Sequence, residues 1–377
     1  MRESLFLLLS MVLIISGDSK DVQKSNQSAK QPVALEINLR DLGYQPTQEY
    51  RYRGTGIPRD LSILNDDYKK RIVFIDDKTL IVYQSHYQPQ DQKEGGQGSR
   101  TVEAFVVDAR TAMLISRRTW PTIERRWLNE RWDTQARILA IQEGFLVQAG
   151  SSLISYSANQ EQQAKLALET GPRWAVTVAP EGRTIHLQRI YDDNRADGEW
   201  LTSDSFTKLR SQHEMAGISS TSDDAVVDKL AHCVQVQAVD EAPRNLYCAD
   251  SWHLGLPLFL TDTEVLSVYG KGFAVFSITG EKLWSREVTD GRPVEGYKRA
   301  LSGSRFGLLV IGPTVFDQVN APKGREAIVV YDRVKRTQIY QLICERNTER
   351  VDFELSPNGS LLAVLVGDTI RLYKIPE

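Results

Sequence analysis

The sequence predicts an all-β fold: a single β-propeller with seven four-stranded blades, the last of which is closed by an N-terminal strand. Three observations predict it. A strand–turn–strand unit recurs seven times, most copies are spaced by about 40 residues, and an unpaired strand near the N-terminus matches a C-terminal unit that lacks an outer strand.

The first residues are typical of a signal peptide. An apolar stretch at residues 5–15 is followed by the small residues Gly17 and Ser19, which suit a cleavage site. This stretch is much shorter than the roughly 20 residues that span a bilayer, although an uncleaved anchor is the alternative. We therefore expect a signal peptide at residues 1–19, a flexible polar lead-in at 20–33 and the propeller at 34–377. The mature protein should be exported, to the periplasm or the cell exterior, without an integral membrane segment.

The repeat consists of a short apolar strand, a tight turn rich in Asp, Glu, Pro or Gly, and a second apolar strand. The seven copies are residues 72–83, 138–148, 174–188, 216–230, 257–269, 299–311 and 351–366. Their turn centres are Asp76, Glu143, Glu181, Asp223, Asp262, Gly303 and Pro357, with successive spacings of 67, 38, 42, 39, 41 and 54 residues. Third strands follow at residues 105–108, 154–157, 274–277 and 329–332, which predicts four strands per unit.

Two leftover strands predict how the ring closes. Residues 369–373 form the third strand of the last unit, and the sequence then ends without a fourth. Residues 34–39 alternate between apolar and polar side chains but have no hairpin partner of their own. Pairing the two would close the ring and remove an open sheet edge.

Several turns resemble those of known propellers. The segment Ser356-Pro357-Asn358-Gly359-Ser360 is similar to the S-P-D-G turn of WD-repeat-like blades, and residues 279–284 resemble the tryptophan motif of quinoprotein-like blades. The chain therefore resembles these propellers, in particular uncharacterised exported propeller proteins of bacteria. The resemblance implies a fold and no specific activity. No unit carries the combined G-H and W-D signature, and the absence of an adjacent Cys pair argues against a quinone cofactor.

Long insertions indicate where a partner would bind. Residues 84–100, 119–135 and 313–325 are predicted to be loops on one face of the ring. The segment at 120–132 holds three of the seven tryptophans, and Pro121 suits the first turn of a short helix in which Ile123 and Trp127 share one side. Trp and Arg often anchor protein interfaces, so the candidate binding residues are Trp120, Arg125, Trp127, Arg131 and Trp132. Alternatively, the tryptophans fill a blade junction and the arginines pair with nearby Glu124 and Glu130.

The three cysteines have different predicted roles. Cys233 and Cys248 flank a turn-like segment, so a hairpin would place them opposite each other as a disulfide candidate, whereas a one-residue register shift would separate them. Cys344 lies in an apolar run and is predicted to be a small buried side chain.

The net charge and the motifs of the sequence limit the classes of function that are expected. A net charge of −3 and a pI of about 6.1 disfavour nucleic acid as a partner. The histidines show no metal-ligand spacing, and no nucleophile elbow or phosphate loop is present, so no catalytic residue, metal site or cofactor is predicted. We expect an exported non-catalytic binding or scaffold protein that engages a protein partner through its long-loop face. The alternative is a propeller hydrolase or lyase with its site in the central channel, and the oligomeric state is left open.

Overall fold

The computed structural model divides the chain into residues 1–32 and 33–377, and every strand among the described residues lies in the second unit. The structure describes residues 32–44, 70–89, 97–125, 136–169, 173–190, 196–209, 216–222, 232–238, 244–249, 258–269, 272–288, 294, 296–311, 326–344 and 351–377. Within these ranges the fold is all-β apart from a 3-10 helix at Leu39–Leu42.

The strands form a β-propeller of antiparallel sheets. Blade 1 contains β2 (Arg71–Phe74), β3 (Thr79–Pro89), β4 (Gln97–Asp108) and β5 (Leu114–Arg125). Blade 2 contains β6 (Ala136–Ile141), β7 (Gly144–Ala149), β8 (Ser152–Ser157) and β9 (Gln162–Ala167), and blade 3 contains β10 (Arg173–Val178), β11 (Thr184–Ile190) and β12 (Ala196–Thr202). A three-stranded sheet follows, with β13 (Ala216–Ser222), β14 (His232–Ala238) and β15 (Arg244–Ala249).

The remaining strands complete three further blades. Blade 4 contains β16 (Leu258–Thr261), β17 (Glu264–Tyr269), β18 (Gly272–Ser277) and β19 (Lys282–Glu287). Blade 5 contains β20 (Gly296–Arg299), β21 (Arg305–Ile311), β22 (Glu326–Asp332) and β23 (Thr337–Ile343). Blade 6 contains β24 (Val351–Leu355), β25 (Leu361–Val366), β26 (Thr369–Lys374) and β1 (Leu35–Asn38).

The prediction of seven four-stranded blades is wrong, because the described residues form six. Five sheets have four named strands, and in blade 3 a single bridge between Leu201 and Lys208 supplies a short fourth strand. The fourth repeat unit forms only the three-stranded sheet β13–β15. Its first strand, which carries the polar run Ser219–Ser222, pairs with β14, and residues 225–230 of the predicted unit lie outside the described residues. The spacing of turns in the sequence locates hairpins of two strands. It does not show whether further strands join a hairpin to complete a four-stranded blade.

The predicted closure by an N-terminal strand is confirmed. β1 is the outer strand of blade 6, where it pairs antiparallel with β26 in the register Leu35↔Leu372 to Asn38↔Thr369. Ile37 and Leu39 are 2% and 0% exposed and pack in the core between blades 6 and 1. The closing segment therefore contributes buried apolar area as well as backbone hydrogen bonds to the ring.

The hydrophobic core lies between neighbouring blades. Five buried clusters join blade 6 to 1, blade 1 to 2, blade 2 to 3, blade 4 to 5 and blade 5 to 6. Middle strands such as β7 are buried along their whole length because each of their faces packs on a neighbour. Between blades 4 and 5, the ring of Trp284 meets the rings of Phe273 and Phe306 at centroid distances of 5.0 and 5.9 Å. This tryptophan of the quinoprotein-like motif is thus part of a blade junction.

Glycines bring the first turns of neighbouring blades into close contact. Gly303 has φ +68°, and a Cβ there would lie 2.2 Å from the carbonyl oxygen of Leu260 in blade 4. Gly182 has φ +73°, and its own carbonyl accepts a hydrogen bond from the Gln142 N–H of blade 2 at 3.1 Å. Only glycine combines this left-handed backbone with so close an approach.

The turn before the outer strand also repeats. In blades 1, 2, 4 and 5 it holds one residue with positive φ: Ala112, Gln160, Gly280 and Arg336, respectively. In each of these blades a β-bulge follows near the start of the outer strand. A bulge strengthens the local twist, so this turn gives the outer strands of the four blades a common geometry.

Candidate functional site

Blade 1 has a three-stranded extension that the other blades lack among the described residues. β3, β4 and β5 have 11, 12 and 12 residues, whereas each strand of blade 2 has six. The innermost strand β2 ends its pairing at Arg71↔Tyr83, but β3 and β4 remain paired from Gln84↔Glu103 to Pro89↔Gly98. At about 3.3 Å per residue, the extension is about 20 Å long. It lies on the face of the ring that carries the second-to-third-strand connections.

This extension corrects part of the sequence-based prediction. Residues 84–100 and 119–135 were predicted to be loops, but residues 84–89, 97–100 and 119–125 belong to strands. The short helix predicted at residues 121–127 is also wrong, because Pro121 lies in β5 opposite Thr101. A proline is tolerated there since β5 is an edge strand of its sheet, where one N–H can be missing. The third predicted loop, residues 313–325, lies outside the described residues.

The five predicted binding residues have different placements. Trp120 is 8% exposed and packs between blades 1 and 2, where its Nε1–H donates to the Tyr156 hydroxyl at 2.8 Å. Arg125 is the last residue of β5, and only its backbone is described. Trp127, Arg131 and Trp132 lie outside the described residues. Trp120 therefore occupies a blade junction.

A buried polar network fixes the base of the extension. Glu103 is 8% exposed and accepts hydrogen bonds from Gln84 at 3.1 Å and from Arg117 Nε at 2.7 Å. The Arg117 guanidinium also lies over the Phe105 ring, 5.2 Å from its centroid. Because Glu103 is buried while the Arg117 side chain is 49% exposed, removing Arg117 would take a charged partner from a buried carboxyl group, which is destabilising. This network links β3, β4 and β5 just where the extension begins.

A second polar cluster lies on the inner strands, which surround the propeller axis. Lys298 on β20 donates to the Glu354 carboxylate on β24 at 3.1 Å, with 38% of the Lys298 side chain and 12% of the Glu354 side chain exposed. Asp352, two residues earlier on β24, accepts the backbone N–H of Ile72 on β2 at 2.9 Å. The cluster thus connects blades 5, 6 and 1.

The charges of this cluster are not balanced. Burial raises the pKa of Glu354, and the nearby Asp352 carboxylate raises it further, against the opposing effect of Lys298. Burial would lower the pKa of Lys298, but the Glu354 and Asp352 carboxylates outweigh it, so this pKa is raised. Two carboxylates share one ammonium group, which therefore remains protonated.

Arg299 forms another contact across the ring. Its guanidinium donates to the carbonyl oxygens of Pro180 at 3.2 Å and Ala179 at 3.3 Å in blade 3, and to that of Leu301 at 3.3 Å. Burial lowers the pKa of Arg299 to about 10, against the raising effects of Glu181, Glu354 and Asp262. The backbone carbonyls therefore hold a charge that is largely removed from water.

The disulfide candidate is in a suitable register. Cys233 on β14 pairs directly with Cys248 on β15, so the backbone has the opposed arrangement that the sequence predicted. A bridge between them stays a prediction. Cys344 is 5% exposed, which confirms its predicted burial, and burial raises the pKa of its thiol to about 12.

The described residues contain no candidate for a metal site or for a membrane-spanning helix. No group of three or more His, Cys, Asp or Glu side chains is arranged to hold a metal ion in this part of the chain. In the same part, no helix has the length and apolar character needed to cross a membrane.

Comparisons with known proteins give a likeness of fold. No family model and no curated protein matches the chain. Among solved structures, the WD40 domain of Neurospora crassa Pan2 is 11% identical, with 88% of this chain and 95% of that one covered and a TM-score of 0.45. BamB from Moraxella catarrhalis is 13% identical, with coverages of 82% and 97% and a TM-score of 0.38. A Listeria monocytogenes protein is 11% identical, with coverages of 79% and 89% and a TM-score of 0.45.

These likenesses concern the fold alone, and at that level the predicted resemblance to WD-repeat-like and quinoprotein-like propellers is confirmed. The protein is a β-propeller.

The inner-strand cluster has a signal in the sequence, which is the alternation of apolar and charged residues along β24. In Val351–Leu355 the apolar residues are buried and alternate with the half-buried Asp352 and Glu354. Charged residues at alternate positions of a first blade strand mark side chains that face the axis or the neighbouring inner strand. The partner Lys298 lies 56 residues from Glu354 in the chain, so only the fold brings the two together.

Proposed function

We propose that the protein is an exported, non-catalytic scaffold that binds a protein partner on the face that carries the blade 1 extension. The observation that carries this proposal is the extension itself. Six blades form a rigid frame, and one of them continues about 20 Å farther on a single face. Its base is fixed by the buried Gln84, Glu103 and Arg117 network, so the extension is held in one orientation relative to the ring.

The free-energy cost of ordering the blade 1 extension supports a role other than stabilising the ring. The extended parts of β3, β4 and β5 continue past the end of β2, so they add no packing on an inner strand there. Ordering each residue of such a segment costs about 1–2 kcal/mol in backbone entropy, which ladder hydrogen bonds offset only in part. Val102 and Trp120 at the base of the extension pack in the core between blades 1 and 2, but the ladder continues beyond them to Pro89↔Gly98, and a segment of this kind is suited to binding.

Deleting the extension tip tests the proposal. Residues 86–101 are replaced by a two-residue Asn-Gly turn, which keeps β3 and β4 connected as a hairpin. Wild type and the deletion variant, each shown to be folded by circular dichroism, are cross-linked in cells of the source organism. We expect a partner polypeptide that is recovered with wild type and lost with the deletion variant. Lys335→Glu, an exposed change in the β22–β23 turn on the opposite face, is the matched control. Equal recovery with the deletion variant would contradict the proposal.

Export is part of the same proposal and is tested separately. The apolar stretch at residues 5–15 followed by Gly17 and Ser19 supports cleavage near residue 19. Intact mass measurement of the protein from its host should give a chain that begins near residue 20, in the envelope or culture fluid. A full-length chain in the cytoplasmic fraction would contradict export.

A second candidate function is a hydrolase or lyase with its site in the central channel. The Lys298, Asp352 and Glu354 cluster favours it, because a largely buried carboxyl with a raised pKa next to a second carboxyl and an ammonium group suits acid–base chemistry. The test is a screen of ester, glycoside and uronate substrates with wild type and Glu354→Gln. Turnover that is lost in this variant would support an enzyme, and equal turnover in both would exclude a role for Glu354.

A further inference from the structure

The outer edge of β5 has features of a strand-addition site. Among the described strands, β5 forms the outer edge of blade 1 and has 12 residues, whereas the outer strands β9 and β19 have six each. An edge strand presents a row of backbone N–H and C=O groups that another extended chain can pair with. Most proteins keep such edges short. The length of β5 is therefore unusual within this ring.

Three consecutive apolar side chains lie at the start of this edge. Met113, Leu114 and Ile115 are 67%, 39% and 50% exposed, and they are three of the five exposed large hydrophobic residues in the described part of the chain. Ile115 is the bulged residue that shifts the register between β4 and β5. An added strand would cover this apolar surface, which gives it a favourable contact in addition to the backbone hydrogen bonds.

Two adjacent arginines make the same edge positive. The side chain of Arg117 is 49% exposed and pairs with Glu103. Among the described side chains, Arg118 contacts neutral groups: its Nε donates to the Gln160 Oε1 at 3.2 Å, and its guanidinium lies 5.5 Å from the Tyr156 ring centroid. The positive charge of Arg118 is thus available to an acidic partner. A second copy of β5 would bring arginines close to arginines, which disfavours self-pairing.

We propose that the β5 edge at Leu114–Thr119 binds an extended segment of a partner protein by strand addition, and that this segment alternates acidic and apolar residues. Pro121 lacks an N–H, so it limits the paired region at its C-terminal end. This inference goes beyond the proposed function, because the edge from Leu114 to Thr119 pairs with the part of β4 that lies between the β4–β5 turn and the base of the extension, and it specifies the chemistry of a partner. Backbone pairing supplies the affinity, and the arginines select the charge of the added strand.

A charge-swap experiment with two peptides tests the inference. The probes are fluorescein-labelled peptides of about ten residues, one alternating Glu with Val and one alternating Lys with Val. Binding to the full chain is measured by fluorescence anisotropy. We expect the Glu–Val peptide to bind about tenfold more tightly than the Lys–Val peptide, and Arg118→Glu to reverse this preference. Arg336→Glu, on an exposed turn of blade 5, is the matched control and should leave both affinities unchanged.

Three outcomes overturn the inference. The first is equal binding of the two peptides, and the second is an Arg118→Glu variant that is folded by circular dichroism and keeps the wild-type preference. The third is a dimer in sedimentation analysis that Ile115→Asp dissociates, because a second copy would then cover the edge. If the Glu–Val peptide does not bind while deletion of residues 86–101 still removes a cross-linked partner, strand addition is wrong and the proposed function stands. If the peptide binds but the deletion removes no partner, the proposed function fails at the extension.

Discussion

Replacing Gly303 with alanine should cost much more stability than the same change at Gly43. Both glycines have a left-handed backbone, with φ +68° and +87°, which costs a residue with a Cβ about 1–2 kcal/mol. The two sites differ in the space for the new methyl group. At Gly303 the Cβ would lie 2.2 Å from the backbone oxygen of Leu260 in the neighbouring blade, whereas at Gly43 no atom lies within 4 Å.

The structure indicates how far the losses of unfolding free energy should differ between Gly303→Ala and Gly43→Ala. Because the obstructing atom at Gly303 belongs to the backbone of blade 4, a side-chain rotation cannot relieve the overlap, and the two turns must move apart. Overpacking of this kind costs about 1–3 kcal/mol. We therefore expect Gly303→Ala to lower the free energy of unfolding by about 2–5 kcal/mol and Gly43→Ala by about 1–2 kcal/mol.

Urea unfolding followed by tryptophan fluorescence measures both variants against wild type. The comparison is informative because the conformational cost is common to the two sites, so the difference between them isolates the contact between blades 4 and 5. Equal losses at Gly303 and Gly43 would refute the reasoning, since they would mean that the first turns of neighbouring blades are not in contact in solution.

Three further predictions concern single side chains. Leu39→Ala should lower the free energy of unfolding in urea by about 2–5 kcal/mol, because Leu39 is fully buried in the closing segment, whereas the 70% exposed Val334 should tolerate alanine within about 0.5 kcal/mol. A loss at Leu39 as small as that at Val334 would contradict closure. Ala112→Gly should raise the free energy of unfolding by about 1 kcal/mol, because Ala112 has φ +61°; a loss would show that the packing of its partly buried methyl group outweighs the backbone strain. Burial lowers the pKa of His186 below its ordinary 6.5, so the unfolded chain binds this proton more readily and stability should fall as the pH drops below about 6.5. In thermal unfolding measured from pH 7 to 5, His186→Gln should reduce the loss of stability with falling pH. A loss as large as that of wild type would contradict the role of His186.

The parts of the fold that the sequence predicted are those where side chains are buried in a regular pattern. The repeated hairpins and the closing strand β1 alternate or concentrate apolar residues because both faces of a blade pack on neighbours. The extension of β3 and β4 was predicted to be a loop, since residues 84–100 are mostly polar. Backbone ladder hydrogen bonds need no apolar side chains, so a strand that leaves the core loses its sequence signal. The three-stranded sheet was mispredicted for a similar reason, because Ser219–Ser222 gives no apolar pattern.

The candidate sites were harder to predict because they depend on contacts between distant segments. Trp120 was a reasonable binding candidate by residue type, but its placement opposite Tyr156 depends on the packing of blade 1 on blade 2. Lys298 and Glu354 lie in different repeat units, and no local motif connects them. Local sequence patterns predict individual strands. A site formed by several blades depends on which distant segments the folded ring brings together.

The two faces of the ring differ in how much change they can accept. On the tight-turn face, neighbouring blades are joined by backbone hydrogen bonds, such as Ser302 N–H to the Pro357 carbonyl at 2.8 Å, and by the Asn358 N–H to the Asp77 carboxylate at 2.9 Å. A turn on this face cannot change its length without breaking a bond to the next blade. The opposite face carries the blade 1 extension, where strand length already varies between blades. Since one face is constrained by interblade contacts, selection for a new partner can act mainly on the other, which is why we place binding on the face of the blade 1 extension.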